Sequence, residues 1–416
     1  MKRKPLFLLN AQFLTTSRDW RTSGGQDSPF DVGTFIRQAR KAEAADIDAV
    51  FEADFSGVNR AALRSGPPLR VFESFQMSAL VAASTERIAV MPTISTMHAH
   101  PFDFARSLAS LDRISQGRAW INIVSSFRSG TGLGLSHSVP RERRHEQTEE
   151  FVNVARRLWT SWPPEANEAS ARGFIRSELI TDLDHHGEFY DQPGPIDMPP
   201  MSRDFPFTLE ATSSLAGVRL AARTADAIFA GTPTLGAAQQ LRAIMRTEAE
   251  NAGRSADDLL LLPGMFVNVT GSAAEADAIV AADRQRIELF ARSSNGISQL
   301  QATYPGLHLD GLSSSDPVSP TILPADPSSV LAEHGTRYLP LWDLAQRPGQ
   351  TLGEFAADAF SLGEHARMIG TAEQIANEIV KWYREDGVDG FQFILGNDFD
   401  SLCEQILPAI RAATDD

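Results

Sequence analysis

The sequence predicts an α/β protein built as a (β/α)₈ barrel with insertions. Three observations carry that expectation. Short apolar runs alternate with amphipathic segments of helical spacing, and eight such strand-then-helix units can be counted along the chain. The strands read as continuous apolar runs and not as alternating ones, the pattern of a parallel sheet covered by helices. The length, 416 residues, suits one such barrel carrying extra loops.

Leu6 to Ala11 reads as a buried strand, followed by a polar loop. Phe35 to Ala45 has helical spacing, and Ile47 to Ala53 is a second strand ending at Asp54. Glu73 to Ser84 is a helix, Ile88 to Ser95 a third strand, Phe102 to Asp112 a helix and Ala119 to Val124 a fourth strand. A long helix is expected from about Glu142 to Trp159. Phe207 to Ala211, Ala227 to Ala230 and Leu259 to Val269 supply three more strands, with helices over Leu215 to Ala225 and Ala237 to Ala252. Ala372 to Glu385, Gly390 to Leu395 and Leu402 to Ala413 close the series as helix, strand and helix. The stretches near 125–141, 163–206 and 293–351 are rich in Gly, Pro, Ser or Asp and read as insertions into a single domain spanning 1–416.

Lys plus Arg number 38 against 53 Asp plus Glu, a net charge of −15, which argues against nucleic acid or an anionic membrane surface as the main partner. One cysteine, Cys403, permits neither an intramolecular disulfide nor a multi-cysteine metal site. The N-terminus is basic and then apolar, but Leu6 to Leu9 is too short for a signal-peptide core. No run approaches the roughly 18 apolar residues that span a bilayer. A cytoplasmic enzyme is the resulting expectation.

In a parallel barrel the site forms at the C-terminal ends of the strands. Those ends supply Asn10, Asp54, Thr93, Ser95, Thr96, Asn122, Ser125, Ser126, Ser213 and Ser214, mostly neutral hydrogen-bonding side chains. No nucleophile elbow, phosphate loop or zinc helix is present, and no metal is expected. The adjacent His185 and His186 read as solvated loop residues, whereas His98 and His100 lie just past the third strand and are candidates for acid, base or substrate contact. Amides and hydroxyls suit a flavin, whose ring needs donors and acceptors along one edge and whose phosphate needs backbone N–H groups at a helix start. Ala211-Thr212-Ser213-Ser214-Leu215 gives such a start directly after a strand, with Ser213 or Ser214 as cap. Arg141, Arg143, Arg144 and His145 cluster before the long helix and could complete a phosphate clamp. Arg21 and Arg128, on expected top-face loops, could attract an anionic substrate.

The ordered motifs resemble one family. They are Asp48-Ala-Val-Phe-Glu-Ala-Asp54, Thr93-Ile-Ser-Thr96 with His100-Pro-Phe102, Leu111-Asp-Arg-Ile-Ser-Gln-Gly-Arg118, Trp120-Ile-Asn-Ile-Val-Ser-Ser126 and Leu158-Trp-Thr-Ser-Trp162. His186-Gly187, Gly194-Pro195, Ala225-Asp-Ala-Ile-Phe229 and Gly387-Val-Asp-Gly-Phe391 complete the series. The chain resembles the bacterial-luciferase-like flavin monooxygenases, within them the nitrilotriacetate and dibenzothiophene-sulfone monooxygenase group. The resemblance spans nearly the whole chain.

That resemblance implies a luciferase-like TIM barrel and a two-component system. Reduced FMN (FMNH2) arrives from a separate NAD(P)H:flavin reductase, and O2 oxygenates a small organic molecule through a flavin peroxide. It implies Asp54, Thr93, Asn122 and Ser125 as flavin contacts, with Ser213, Ser214, Arg141 and His145 toward the phosphate, and a homo-oligomer, dimer or tetramer. Asn122, His98 and His100 are the candidate catalytic residues. Where the family commonly carries Tyr and His, this chain has His145 and Arg141, and Glu210 stands where an amide is usual. Two other readings keep the barrel: a flavin- or deazaflavin-dependent hydride-transfer enzyme, and a flavin-binding protein without catalysis.

Overall fold

The computed structural model describes residues 4–10, 31–54, 72–125, 139–140, 143–167, 175–199, 201–202, 205–212, 214–293, 295–395 and 398–414. The chain divides into two compact units, one made of Leu8–Ala211 and Thr224–Asp226, the other of Met1–Phe7, Thr212–Arg223 and Ala227–Asp416.

The Leu8–Ala211 unit carries β1 (Leu6–Asn10), α1 (Val32–Ala44), β2 (Ala49–Phe51), α2 (Ser74–Ser84), β3 (Ala89–Met91), β4 (Thr93–Ser95), α3 (Pro101–Ile114), β5 (Ile121–Val124), α4 (Arg144–Thr160), β6 (His185–His186), β7 (Asp191–Gln192) and β8 (Thr208–Ala211). The long strands run parallel: Asn10 stands opposite Phe51, Phe51 opposite Met91, Thr93 opposite Asn122, and Asn122 opposite Leu209. The expected third strand is two. Pro92 lacks an N–H and cannot continue the ladder, so β3 pairs with β2 while β4 pairs with β5.

Three helices of this unit, α1, α2 and α3, begin where the sequence supplies an acceptor, whereas α4 starts at Arg143 with no side-chain cap. Asp31 takes the N–H groups of Gly33 and Thr34 at 3.0 Å each, and Glu73 takes that of Gln76 at 3.0 Å. At α3, Nδ1 of His100 accepts from Phe102 N at 3.2 Å, with Pro101 in the first turn, where its missing N–H costs nothing. α3 buries Phe104, Ala105, Leu108 and Leu111. α4 lays Phe151 against Phe104 at 5.1 Å between ring centroids, and Trp159 Nε1 donates to the Ala105 carbonyl at 3.1 Å. Each such fully buried large apolar side chain contributes about 1.5–3 kcal/mol. Between α3 and β5 the chain turns through Gln116 and Gly117, both at positive φ. Arg118 then donates to the carbonyls of Ala82, Thr85 and Ile88 at 2.9, 3.0 and 2.6 Å, two of which lie at the C-terminal end of α2.

The other unit carries α5 (Leu215–Thr224), β9 (Ala227–Phe229), α6 (Leu235–Asn251), β10 (Leu260–Leu261), β11 (Gly264–Val269), α7 (Ala273–Ala291), α8 (Gly296–Thr303), α9 (Pro327–His334), α10 (Leu339–Ala345), α11 (Leu352–Leu362), β12 (Ala366–Gly370), α12 (Ala372–Arg384) and β13 (Gly390–Leu395), then helical turns to Thr414. Leu259 to Val269, expected as one strand, is broken at Pro263: β10 pairs with β9, and β11 pairs with both β12 and β13. Further features depart from expectation, the unforeseen helix α11 among them. β12 was not anticipated, because its residues alternate buried and exposed, with Arg367 outward, where continuous apolar runs were sought. α7 was missed because only Ala276 and Ala291 are buried along it, so it has no apolar stripe to betray it. The 293–351 stretch, read as loop, holds α8, α9 and α10.

Candidate functional site

In the first unit the structure brings Thr93 and Asn122 together, although neither lies at the C-terminal end of its strand as expected. Thr93 opens β4 and Asn122 lies within β5, in register with it. The Thr93 hydroxyl donates to the Glu52 carbonyl at 2.7 Å and accepts from Asn122 Nδ2 at 2.9 Å. A hydroxyl has one proton, and here the Glu52 carbonyl takes it. Asn122 must therefore point its amide nitrogen at Thr93, which leaves Oδ1 buried and without a partner among the described residues.

The loop after β4 adds imidazoles. The backbone N–H of His98 closes a turn on the Ser95 carbonyl at 3.3 Å. Both ring nitrogens of His98 are buried and have no partner among the described residues. Burial, and then the nearby Arg144 charge, hold its pKa below the ordinary histidine value, so near neutral pH the ring is uncharged, with one donor and one acceptor. His100, the other candidate, caps α3 and stacks edge-on against Tyr190 at 5.8 Å.

Thr96 is wholly buried; its hydroxyl meets that of Thr148 at 2.7 Å and its carbonyl accepts from the Tyr190 hydroxyl at 3.2 Å. Gln147 Nε2 donates to the same hydroxyl at 3.0 Å. Burial pushes the Tyr190 pKa up to about 12, so the phenol keeps its proton. Asp54 and Ser125 are half-buried past β2 and β5, and His145 is half-buried in the first turn of α4. Arg21, Ser126, Arg128, Arg141 and Ser213 lie outside the described residues.

Glu52 was not singled out from the sequence. It is buried, one carboxyl oxygen lacks a partner among the described residues, and burial followed by the charges of Asp54 and Glu73 raises its pKa to about 8. A glutamate inside the apolar run Ala49–Ala53 was the available signal. Tyr190, Gln147 and Thr148 were also missed, since nothing local ties them to strand ends far away in sequence. The paired histidines are engaged: His185 with Glu150 at 3.1 Å and His186 with Asp191 at 2.7 Å.

In the second unit, Ser214 caps α5: its hydroxyl accepts from Gly217 N at 3.2 Å. Gly217 admits no side chain, because a Cβ there would collide with the Thr212 side chain.

Unpaired neutral donors and acceptors fit the edge of an isoalloxazine ring, which presents both carbonyls and an N–H. Among the described residues no cluster of His, Cys, Asp and Glu could hold a metal ion.

The family described as luciferase-like monooxygenase matches residues 11–390. The chain belongs to that family. As a luciferase-like monooxygenase it is a flavin-dependent enzyme, and it has the family's α/β fold, parallel strands with helices, of TIM-barrel type. It is 28% identical over 402 residues to N-acetyl-S-(2-succino)cysteine monooxygenase of Bacillus subtilis (strain 168), covering 94% of this chain and 88% of the relative. It is 28% identical over 390 residues to nitrilotriacetate monooxygenase component A of Aminobacter aminovorans, covering 90% and 84%. The solved structure of EDTA monooxygenase from Chelativorans sp. BNC1 matches with a TM-score of 0.75 at 22% identity, over 99% of this chain and 94% of that one. The expected group within the family thus includes a relative of nearly full length. No helix among the described residues is long and apolar enough to cross a membrane.

Proposed function

We propose that this luciferase-like monooxygenase is the oxygenating component of a two-component pair. It takes FMNH2 from a separate NAD(P)H:flavin reductase and adds one atom of O2 to a small organic substrate. The unpaired acceptor of Asn122, fixed by Thr93, carries the reading. Bound reduced flavin supplies the electrons that activate dioxygen. The protein's own residues do the rest.

Asn122 Oδ1 accepts from the flavin ring and orients it, with Thr93, Asp54 and Ser125 as its companions. His98, uncharged near neutral pH, accepts or returns a proton at a ring nitrogen. His100 contributes through the edge of the same loop. The N–H groups at the start of α5, capped by Ser214, suit the phosphate, and Ser213, Arg141 and His145 are assigned with them. The Aminobacter relative's description as "component A" supports a partner reductase. A homo-oligomer, dimer or tetramer, and a cytoplasmic location complete the proposal.

Anaerobic titration of the protein with FMNH2, followed by oxygen and a panel of small carboxylated and sulfur-bearing compounds, tests it. A true substrate lowers hydrogen peroxide release in proportion to product formed. Equal peroxide release with every compound, together with no FMNH2 binding, defeats it.

A further inference from the structure

The loop that carries His98 leaves β4 at Thr96, whose carbonyl is held by the Tyr190 hydroxyl at 3.2 Å. Tyr190 belongs to the hairpin of β6 and β7, which has only two residue pairs, His185 with Gln192 and His186 with Asp191. A two-stranded ribbon that short does not hold itself together in water. Glu150, on α4, holds it. Its carboxylate accepts from the backbone N–H groups of Glu188, Phe189 and Tyr190 at 3.2, 3.1 and 2.9 Å, and meets His185 Nε2 at 3.1 Å. His185 Nδ1 is in turn 3.2 Å from an Arg157 nitrogen. Gly187 is required at the turn, because a Cβ there would collide with the Glu150 carboxylate. Burial opposes the Glu150 charge, yet the hydrogen bonds from His185, Tyr190 and Phe189 outweigh it and hold the pKa below the usual carboxylate range.

We propose that Glu150 and Tyr190 are positioning residues for the His98 loop: Glu150 clasps the hairpin to α4, and the Tyr190 hydroxyl then pins the Thr96 carbonyl from which the loop departs. The role in the reaction rests on reading His98 as a site residue; the mechanical claim does not. Removing the hydroxyl frees the carbonyl, loosens the turn after Ser95 and admits water to the His98 ring. Arg144, the charged neighbour acting on that ring, stays in place on α4.

The test is an NMR titration of the His98 ring, assigned with His98→Gln, in the full chain. Tyr190→Phe keeps the ring and its stacking on His100 and Phe151 but removes the hydroxyl. The His98 midpoint is expected to rise toward the ordinary histidine value, and Glu150→Ala does the same if it folds. His186→Gln, exposed on the same hairpin, leaves the midpoint where it was. An unchanged midpoint in a folded Tyr190→Phe protein overturns the proposal. A shifted midpoint supports positioning even if His98→Gln leaves FMN affinity and peroxide release intact, a result that would count only against His98 as a site residue.

Discussion

Asn122 gives its amide proton to the Thr93 hydroxyl at 2.9 Å, and Thr93 gives its own to the Glu52 carbonyl at 2.7 Å. The relay runs one way, so it decides which end of the Asn122 amide is left over. What remains is an acceptor in a buried place, and a buried acceptor without a partner costs about 1–3 kcal/mol.

Asn122→Ala therefore removes a contact the flavin alone would satisfy. FMN affinity should fall about ten-fold, the equivalent of about 1.4 kcal/mol. Thr93→Val should weaken it less, because the amide survives but loses its fixed orientation. Flavin fluorescence quenching measures both, and unchanged affinity in both variants removes Asn122 from the site.

Ser214 offers a separable test of the phosphate. Ser214→Ala removes the cap of α5 and should cost about 1 kcal/mol of stability. If the helix start holds phosphate, affinity for FMN falls while affinity for riboflavin does not. Equal losses for the two flavins would assign Ser214 to the helix alone.

Glu52 makes stability depend on pH in a stated direction. Its pKa is raised from 4.5 to about 8 in the folded chain. The folded state thus holds the proton more tightly than the unfolded state. That contribution is complete below the unfolded value and is lost as pH climbs from there through about 8. Glu52→Gln should gain on the native chain in urea unfolding at about pH 9 relative to about pH 6. A difference that is the same at both pH values would place the proton elsewhere.

Arg242 and Asp389 form a buried pair in the second unit: one guanidinium nitrogen lies 2.8 Å from Asp389 Oδ1 and a second bonds Oδ2. Asp389 also accepts from Leu261 N at 2.9 Å, tying β10 to the turn before β13. Asp389→Ala leaves the Arg242 guanidinium with Asp386, 3.4 Å from its Nε, as the remaining ion pair and should cost about 1–3 kcal/mol. Calorimetry that finds a loss below about 1 kcal/mol would show the pair to be solvated.

Much of this was legible in the sequence. Leu6–Asn10 and Ala119–Val124 are mainly apolar runs that carry or meet polar residues (Asn10, Asn122 and Ser125), so both the strands and the candidate side chains could be read directly, and Gly390–Leu395 was legible as a strand in the same way. Thr93, Asn122 and His98 were found that way. Pro92 and Pro263 were visible, but the side to which each half-strand turns is a pairing choice set by neighbours far along the chain. Tyr190 shows the limit: it reaches Thr96 across 94 residues through a hairpin too short to have a sequence signature. Glu52 was readable only as a polar residue in an apolar run, a pattern that does not say whether the carboxyl is charged.

The most direct test supplies FMNH2 from an unrelated NAD(P)H:flavin reductase under isotopically heavy dioxygen, with the compound that suppresses peroxide release as substrate. Mass spectrometry of the product should show one heavy oxygen atom per turnover. Product formed without heavy oxygen, or formed equally well under argon, would mean hydride transfer and contradict the account.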